Sequence, residues 1–288
     1  MPSTPRTAVR QVVTPARITA VDGAGVASRR DRLVTEEPLE IRAAGPGQEP
    51  VSIAVTMRTP GADMELAAGF LFTEGLVASH DEIATIRYCG LEVSEEQRFN
   101  IVTVDLRRPF DPGSLQRNFY ATSSCGICGK ASIDQVEVLC AKLTPGPVVA
   151  RAVIESLPEA LRRAQPAFDK TGGLHATGLF DGEGTLVEAR EDVGRHNAMD
   201  KLVGCEFLAG RLPGSERVVL VSGRASFELV QKAAVAGVPI LCAVSAPTTL
   251  AVEAAERLGM TLVGFLRGKK FNIYTHPERI DLTPASGS

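Results

Sequence analysis

No stretch of the 288-residue sequence approaches the roughly 20 consecutive apolar residues that a membrane-spanning helix needs. Its first 20 residues also lack the apolar core of a secretory signal peptide. The sequence therefore predicts a cytoplasmic protein without a membrane-spanning segment.

Neither positive charge nor cysteine is abundant. The 31 Lys and Arg residues are outnumbered by 34 Asp and Glu residues, and the net charge of -3 argues against general nucleic-acid binding. Six cysteines in a chain of this length indicate neither a disulfide framework nor a cysteine-rich metal module. With 44% hydrophobic residues, the chain can nevertheless bury a sizeable core in one large domain or two smaller ones.

Two of the cysteines lie close together in a stretch of small residues, Tyr120-Ala-Thr-Ser-Ser-Cys125-Gly-Ile-Cys128-Gly-Lys130. The glycines and hydroxyl residues of this stretch predict an exposed loop rather than a helix or strand. No carboxylate lies between Asp111 and Asp134, so the local electrostatic field favours thiolate over thiol.

Several kinds of site contain such a pair of cysteines. A structural zinc site needs two further ligands, but the remaining cysteines and the four histidines form no second close pair. A thioredoxin-like redox pair follows a strand, whereas Asp111-Pro-Gly-Ser is typical of a turn. We favour a chemically active thiol, either a nucleophile or a sulfur carrier, and leave the zinc and redox alternatives open.

The hydrophobic pattern divides the chain into four parts. Residues 1–20 lack a periodic apolar pattern and are predicted to be a flexible tail. Residues 21–118 predict a smaller α+β region, which includes a helix that Asp63 is placed to cap. The cysteine loop, residues 119–131, then precedes an α/β domain over residues 132–288.

Strands and helices alternate in this α/β domain. A hairpin over residues 174–191 and the elements around it follow the order αββαβαβαβ, which is that of the cytidine-deaminase-like fold. The alternation predicts a mostly parallel sheet with helices on both faces. Deaminase chemistry is excluded, because the zinc-binding and glutamate positions of deaminases read Gly194-Arg-His-Asn-Ala198 and Ser222-Gly-Arg-Ala-Ser226 here.

These helix starts are suited to anions instead. Arg195, Ser222 and Arg224 lie where a strand gives way to a helix, so free backbone N–H groups and the helix dipole favour negative charge. A basic stretch, Phe265-Leu-Arg-Gly-Lys-Lys270, follows the last predicted strand. We expect a pocket for a phosphorylated, nucleotide-bearing ligand at the carboxyl edge of the sheet. His196 and Asp200, on one helix face, would either form an acid–base pair there or pack locally.

Five motifs carry a resemblance to a known family, and they are Ser124-Cys-Gly-Ile-Cys-Gly-Lys130, Gly172-Gly-Leu-His-Ala-Thr-Gly178, Glu191-Asp-Val-Gly-Arg-His-Asn-Ala-Met-Asp-Lys201, Ser222-Gly-Arg224 and Phe265-Leu-Arg-Gly-Lys-Lys-Phe-Asn272. They resemble the FdhD family, the formate dehydrogenase accessory sulfurtransferases. The resemblance covers the chain from about residue 30 onward. Several long motifs in the right order are far more specific than a single C-x-x-C pair.

The resemblance implies a cytoplasmic sulfur carrier that accepts sulfane sulfur from a cysteine desulfurase as a cysteine persulfide. The sulfur would then pass to molybdenum bis(molybdopterin guanine dinucleotide) before this cofactor enters formate dehydrogenase. The resemblance also implies a homodimer and a deaminase-like fold. Because the metal arrives within the cofactor, we expect no metal ligands from the protein.

The site residues follow from the same resemblance. Cys125 would carry the persulfide, and Cys128 would share or resolve it. The residues expected to bind the cofactor are Phe265, Leu266, Arg267, Gly268, Lys269 and Lys270, with Arg195, His196, Ser222 and Arg224 as further contacts. Two alternative functions remain, namely a non-enzymatic chaperone that binds and hands over the cofactor, and a thiol oxidoreductase.

Overall fold

The computed structural model describes residues 11–23, 25–89, 99–111, 142–143 and 145–283. Within these ranges the strands are β1 (Val13–Asp22), β2 (Gly25–Val34), β3 (Glu37–Ala44), β4 (Val51–Arg58), β5 (Ile83–Tyr88), β6 (Ile101–Leu106), β7 (Val149–Ala150), β8 (His175–Phe180), β9 (Leu186–Asp192), β10 (Val218–Val221), β11 (Ile240–Ala243), β12 (Thr261–Arg267), β13 (Lys270–Thr275) and β14 (Ile280–Asp281). The helices in the same ranges are α1 (Asp63–Thr73), α2 (Arg151–Arg163), α3 (Pro166–Thr171), α4 (Arg195–Leu208), α5 (Phe227–Val235) and α6 (Thr249–Leu258). The cysteine loop lies outside the described residues.

The first two strands correct the prediction of a tail through residue 20. β1 pairs with β2 in an antiparallel hairpin that runs from the Val13–Val34 pair to the Asp22–Gly25 pair. This hairpin was not predicted, because β2 is exposed at nearly every position and so lacks the alternation of a half-buried strand. Cross-strand backbone hydrogen bonds, rather than a buried face, define this element.

A four-stranded sheet with the order β4-β3-β6-β5 forms the core of the N-terminal region. α1 covers one face of it, and Leu66 and Leu71 of this helix pack against Leu39, Ile41 and Val104 of the sheet. The predicted strands and helix of this α+β region are therefore confirmed.

The predicted helix cap in this region is wrong. Ala62 occupies the N-cap position of α1 without a side-chain cap. The carboxylate of Asp63 is instead held by two hydrogen bonds from the buried guanidinium of Arg58, at 2.9 and 3.1 Å. A bidentate, charge-assisted pair of this kind is stronger than the neutral bond that a cap provides.

The second region is built on a six-stranded sheet with the order β13-β12-β11-β10-β8-β9. Its neighbours β10, β11 and β12 are parallel, whereas β8 pairs antiparallel with both β9 and β10, and β13 pairs antiparallel with β12. The prediction of a mostly parallel sheet is therefore wrong for the neighbouring pairs, of which two in five are parallel. It failed because both edges of the sheet are closed by a hairpin, and a hairpin reverses the chain. β9, β10, β11 and β12 nevertheless all run in the same direction.

Helices cover both faces of this sheet, as the alternation predicted. Side chains of α4, α5 and α6 pack with Leu179, Val219 and Leu241 on one face. Ile154, Leu157 and Leu161 of α2 pack with Val218 and Leu220 on the other. None of the helices in the described ranges is long and apolar enough to cross a membrane.

The two sheets are joined where α1 crosses α4. A Cβ atom added to Gly69 would lie 1.9 Å from the carbonyl oxygen of Asp200, and one added to Gly204 would lie 1.9 Å from that of Glu65. Only glycine allows two helix backbones to come this close. Beside the crossing, Asp200 accepts hydrogen bonds from Thr73 and from the buried ammonium of Lys232, both at 2.9 Å.

We therefore expect Gly204→Ala to lower the free energy of unfolding by at least about 2 kcal/mol, because the new methyl group forces the helices apart. Gly182→Ala is the matched control, since its Cβ would meet nothing closer than Pro147 at 3.6 Å. Denaturant unfolding of both variants measures the difference. Equal midpoints for Gly204→Ala and Gly182→Ala would contradict this account of the crossing.

Candidate functional site

The loops that follow β9, β10, β11 and β12 lie at one edge of the six-stranded sheet, because these strands run in the same direction. β8 runs the opposite way and begins at the same edge, where His175 pairs with Asp192. In sheets of this kind, ligands bind at the carboxyl edge of the strands. This carboxyl edge is therefore the candidate site.

Hydrogen bonds between neighbouring loops fix the shape of the edge. Ser222 donates its backbone N–H to the carbonyl of Ala176, and its Oγ accepts the N–H of Ala176, both at 2.9 Å. Ser245 N–H donates to the carbonyl of Gly223 at 3.3 Å, and Phe265 N–H donates to the carbonyl of Ser245 at 3.1 Å. Four strands thus share one connected backbone network, which favours a preformed site over a mobile one.

A cavity of about 720 Å³, here called the edge cavity, opens between this edge and α2 and α3. Leu161, Phe168 and Leu174 form its apolar wall, and Gln165, His175 and Ser222 contribute polar groups. Gln165 is only 4% exposed, and its side chain belongs to the lining of this cavity. Glu159 and Arg162 add a carboxylate and a guanidinium, so the lining offers both charged and uncharged polar groups.

His175 contributes an uncharged imidazole to the lining of the edge cavity. Burial and the nearby charge of Arg195 lower its pKa, although Asp192 acts in the opposite direction. Gly223 leaves room for the ring, since a Cβ there would lie 3.3 Å from Nδ1. A neutral imidazole offers one donor and one acceptor, which suits an uncharged polar heterocycle.

A second, more open cavity of about 760 Å³ is here called the basic groove. Arg151, Arg267, Lys269 and Lys270 line it together with the aromatic rings of Phe265 and Phe271. The two cavities adjoin at Val244, which lines the edge cavity and accepts a 3.4 Å hydrogen bond from Arg267 of the basic groove. Four cations beside a cavity with polar and aromatic lining suit a ligand that combines phosphates with a heterocycle.

The turn from β9 to α4 is fixed by a buried carboxylate. Asp192 is fully buried and accepts hydrogen bonds from the backbone N–H groups of Gly194 and Thr59, at 2.8 and 3.1 Å. It also forms a 2.6 Å ion pair with the buried ammonium of Lys201. Because Thr59 follows β4, this carboxylate ties the edge to the N-terminal region.

His196, the second residue of α4, does not pair with Asp200. Its Nε2 lies 3.0 Å from Ser226 Oγ and 3.1 Å from a carboxylate oxygen of Glu228, whereas Asp200 is held by Lys232 and Thr73. Burial and the charges of Arg195 and Lys232 lower the pKa of His196 to about 4. The local-packing alternative is therefore confirmed, and His196 is neutral at pH 7.

The predicted ligand-binding residues divide into four groups. Phe265, Arg267, Lys269 and Lys270 line the basic groove, and Gly268 makes the turn beside them with a φ of 54°. Ser222 lines the edge cavity instead. The side chain of Leu266 is fully buried in the core, so that prediction is wrong for the side chain and leaves only its backbone near the groove.

The remaining three residues lie at the edge without lining either cavity. Arg195 and His196 begin α4 and Arg224 precedes α5, and both helices pack on the face opposite α2. Arg195 Nε is buried and has no hydrogen-bond partner among the described residues. Cys125 and Cys128 lie outside the described residues.

Sequence reasoning missed the α2–α3 side of the edge cavity. Gln165 and Phe168 were not singled out, because α3 was not predicted. A signal was present, since Pro166 begins this short helix and Gly172 ends it in a left-handed conformation, an arrangement typical of helix ends.

Three further cysteines are described. Cys242 is fully buried, and burial raises the pKa of its thiol. Cys89 and Cys205 are partly exposed. Burial also raises the pKa of Cys205, although Arg190 acts against it.

The fold and the site together define an α/β protein in which a basic groove and a second cavity adjoin at one edge of a sheet. The model of the FdhD/NarQ family matches residues 34–281. The chain belongs to the FdhD/NarQ family, which confirms the resemblance carried by its motifs.

Named relatives and a solved structure agree. The chain is 52% identical to a Streptomyces avermitilis protein named sulfur carrier protein FdhD, and the match covers 92% of this chain and 94% of that protein. It is 48% identical to a protein of the same name from Mycolicibacterium paratuberculosis, and this match covers 94% of this chain and 99% of that protein. A crystal structure from Desulfotalea psychrophila, assigned as a formate dehydrogenase accessory protein, has a TM-score of 0.71 at 25% identity. It covers 94% of this chain and 100% of its own.

We expect Asp192→Asn to lower the free energy of unfolding by about 3–5 kcal/mol, because it leaves the buried ammonium of Lys201 without its counter-charge. Glu159→Gln is the control, since its ion pair with Arg163 is 79% and 70% exposed and should be worth under about 1 kcal/mol. Denaturant unfolding at neutral pH compares the two. A loss for Asp192→Asn no larger than for Glu159→Gln would contradict the role given to this carboxylate.

Proposed function

We propose that this chain is a sulfur carrier that takes sulfane sulfur from a cysteine desulfurase as a persulfide on Cys125. It passes the sulfur to molybdenum bis(molybdopterin guanine dinucleotide) before this cofactor is inserted into formate dehydrogenase. The observation that carries the proposal is the pairing of a basic groove with an adjoining cavity of polar and aromatic lining at one sheet edge. The names of the relatives support the sulfur chemistry. A cytoplasmic location of this chain is part of the proposal.

The chemistry of the cofactor matches the two cavities. Its nucleotides carry diphosphates, which Arg151, Arg267 and the two lysines of the basic groove would bind by charge-assisted hydrogen bonds. Its pterin and guanine rings are planar and rich in donors and acceptors, which Gln165 and His175 of the edge cavity would match. The chain's contribution is thus to hold the cofactor at one edge.

The sulfur transfer needs only thiol chemistry. The thiolate of Cys125 attacks the outer sulfur of the donor's cysteine persulfide, a new S–S bond forms, and the donor's cysteine leaves as a thiolate. Cys128 would then either share the sulfur or attack Cys125. The second route releases sulfide and leaves a Cys125–Cys128 disulfide, so the two electrons gained by the sulfur come from the two thiols.

The finer description of the fold is also a proposal. From α2 onward, leaving α3 aside, the elements follow the order αββαβαβαβ, and this supports a cytidine-deaminase-like domain. The helix starts that hold zinc in deaminases instead carry Arg195, His196 and Ser222 here. The domain would thus keep the architecture and use its sheet edge for binding.

A direct test of the carrier step is mass spectrometry after incubation with a cysteine desulfurase and cysteine. We expect one added sulfur atom on the Cys125 peptide, removed by a reductant and absent in Cys125→Ala. Cys205→Ala is the matched control and should keep the modification, because the pKa of that thiol is raised by burial. An unmodified Cys125 peptide beside an active desulfurase would favour the cofactor chaperone, and an internal disulfide alone would favour a thiol oxidoreductase.

The nucleotide part of the proposal is tested by calorimetric titration with GDP. We expect Arg267→Glu and Lys269→Glu each to weaken binding at least tenfold, on the order of a lost charge-assisted contact. Arg163→Glu, an equal charge change on the exposed side of α2, should leave the affinity within about threefold. Equal losses in all three variants would indicate a general charge effect and would contradict a site in the basic groove.

A further inference from the structure

The β1–β2 hairpin, residues 13–34 and here called the arm, extends beyond the rest of the molecule. Ten-residue strands at about 3.3 Å per residue make it roughly 33 Å long. Its base lies against α3, and Val34 lies next to Gly173. All of β2 before Val34 is exposed, so most of the arm lies on nothing in the described part of the chain.

The two faces of the arm differ in charge. Arg17 pairs with Arg30 across the two strands. Arg32, which pairs with Pro15 nearer the base, lies on the same face because side chains two residues apart in a strand share a face. At the tip of this face Val21 pairs with Val26, and these side chains are 73% and 71% exposed. The acidic residues of the arm, Asp22 and Asp31, both fall on the opposite face, and we call the first face the basic face.

Without a partner, the charges on the basic face destabilise the hairpin. Arg17 and Arg30 are directly opposite, and like charges in that position destabilise a strand pair. The described residues provide no ion pair for Arg17, Arg30 or Arg32. A two-stranded hairpin is itself only marginally stable in water. Carboxylates brought by a partner would remove the repulsion, and an apolar surface on that partner would cover the two valines.

The charge of the chain indicates which partner. The arm, residues 13–34, holds four Arg against two Asp, a net charge of +2, and residues 35–288 hold 25 Lys and Arg against 32 Asp and Glu, a net charge of -7. A chain that carries a basic arm on an acidic body is electrostatically complementary to itself. We propose that the basic face of the arm binds the acidic body of a second copy of this chain. A nucleic acid would satisfy the arginines but would leave the valine pair at the tip exposed.

This inference does not depend on the proposed sulfur transfer. It assigns an interface to the homodimer that the family resemblance implies, and the interface is tested by self-association alone. Analytical ultracentrifugation over a range of concentrations measures the dissociation constant of the full chain.

We expect a dimer that weakens as salt is raised, and at least a tenfold increase in its dissociation constant for the double variant Arg17→Glu/Arg30→Glu. Arg29→Glu is the matched control, because Arg29 pairs with Ile18 on the opposite face, and its dissociation constant should change less than about threefold. A monomeric wild-type chain would overturn the proposal. So would a dimer that the double variant does not weaken more than the control does.

Photo-cross-linking gives a second, independent readout. With Val26 replaced by p-benzoylphenylalanine, irradiation should yield a covalent dimer in which the arm of one copy is joined to residues 35–288 of the other. Links confined to single chains would overturn the proposal. Retention of a monomeric chain on heparin that depends on Arg17 and Arg30 would overturn it in favour of another polyanionic partner.

Discussion

The close contact between α1 and α4 is the constraint on which the rest of the structure depends. Gly69 and Gly204 let the helix backbones touch, and this contact joins the four-stranded sheet to the six-stranded one. The polar groups beside it belong to both regions, since Thr73 and Glu74 bind Lys232, and Lys232 binds Asp200. Burial raises the pKa of Asp200 to about 6, so the pairing with Lys232 offsets a real desolvation cost. Buried groups from both regions therefore join the two sheets at this contact.

The contact between α1 and α4 also helps to fix the position of the candidate site. The first turn of α4 is held from below by Asp192 and Lys201, and both bind Thr59 at the end of the N-terminal sheet. Val193 N–H donates to the Thr59 hydroxyl as well, at 3.2 Å. The carboxyl edge is thus positioned by residues from both regions, although all of its cavity-lining groups come from the second one. A rigid edge of this kind suits the recognition of a large, preformed ligand, because little conformational entropy is lost on binding.

The elements that could be predicted from sequence are those whose pattern of apolar residues matches the residues that are buried. Val218–Val221 and Ile240–Ala243 are short, continuous apolar runs, and both are fully buried central strands. The arm could not be predicted in the same way, because β2 is exposed at nearly every position and depends on pairing with β1. β13 does alternate, with Phe271 and Ile273 packed on the core, but the basic residues and glycine at its start are typical of a loop. For the site, the charged stretch at Arg267–Lys270 was evident, whereas Gln165 depends on the packing of α2 and α3 around a cavity. Leu266 shows the limit of motif transfer, since its neighbours face the groove while it faces the core.

The complete burial of Cys242 has a consequence for sulfur chemistry. Sulfane sulfur moves between thiolates, so any second reactive thiol in a carrier protein is a place where the cargo is lost or the chain is cross-linked. The middle strand of the sheet withholds this thiol from exchange in two ways, by steric access and by keeping it protonated at neutral pH. Cys205 is partly exposed, yet its pKa is raised too. The fold therefore lowers the reactivity of these two thiols, and this limits the number of thiols that can exchange sulfur in the protein.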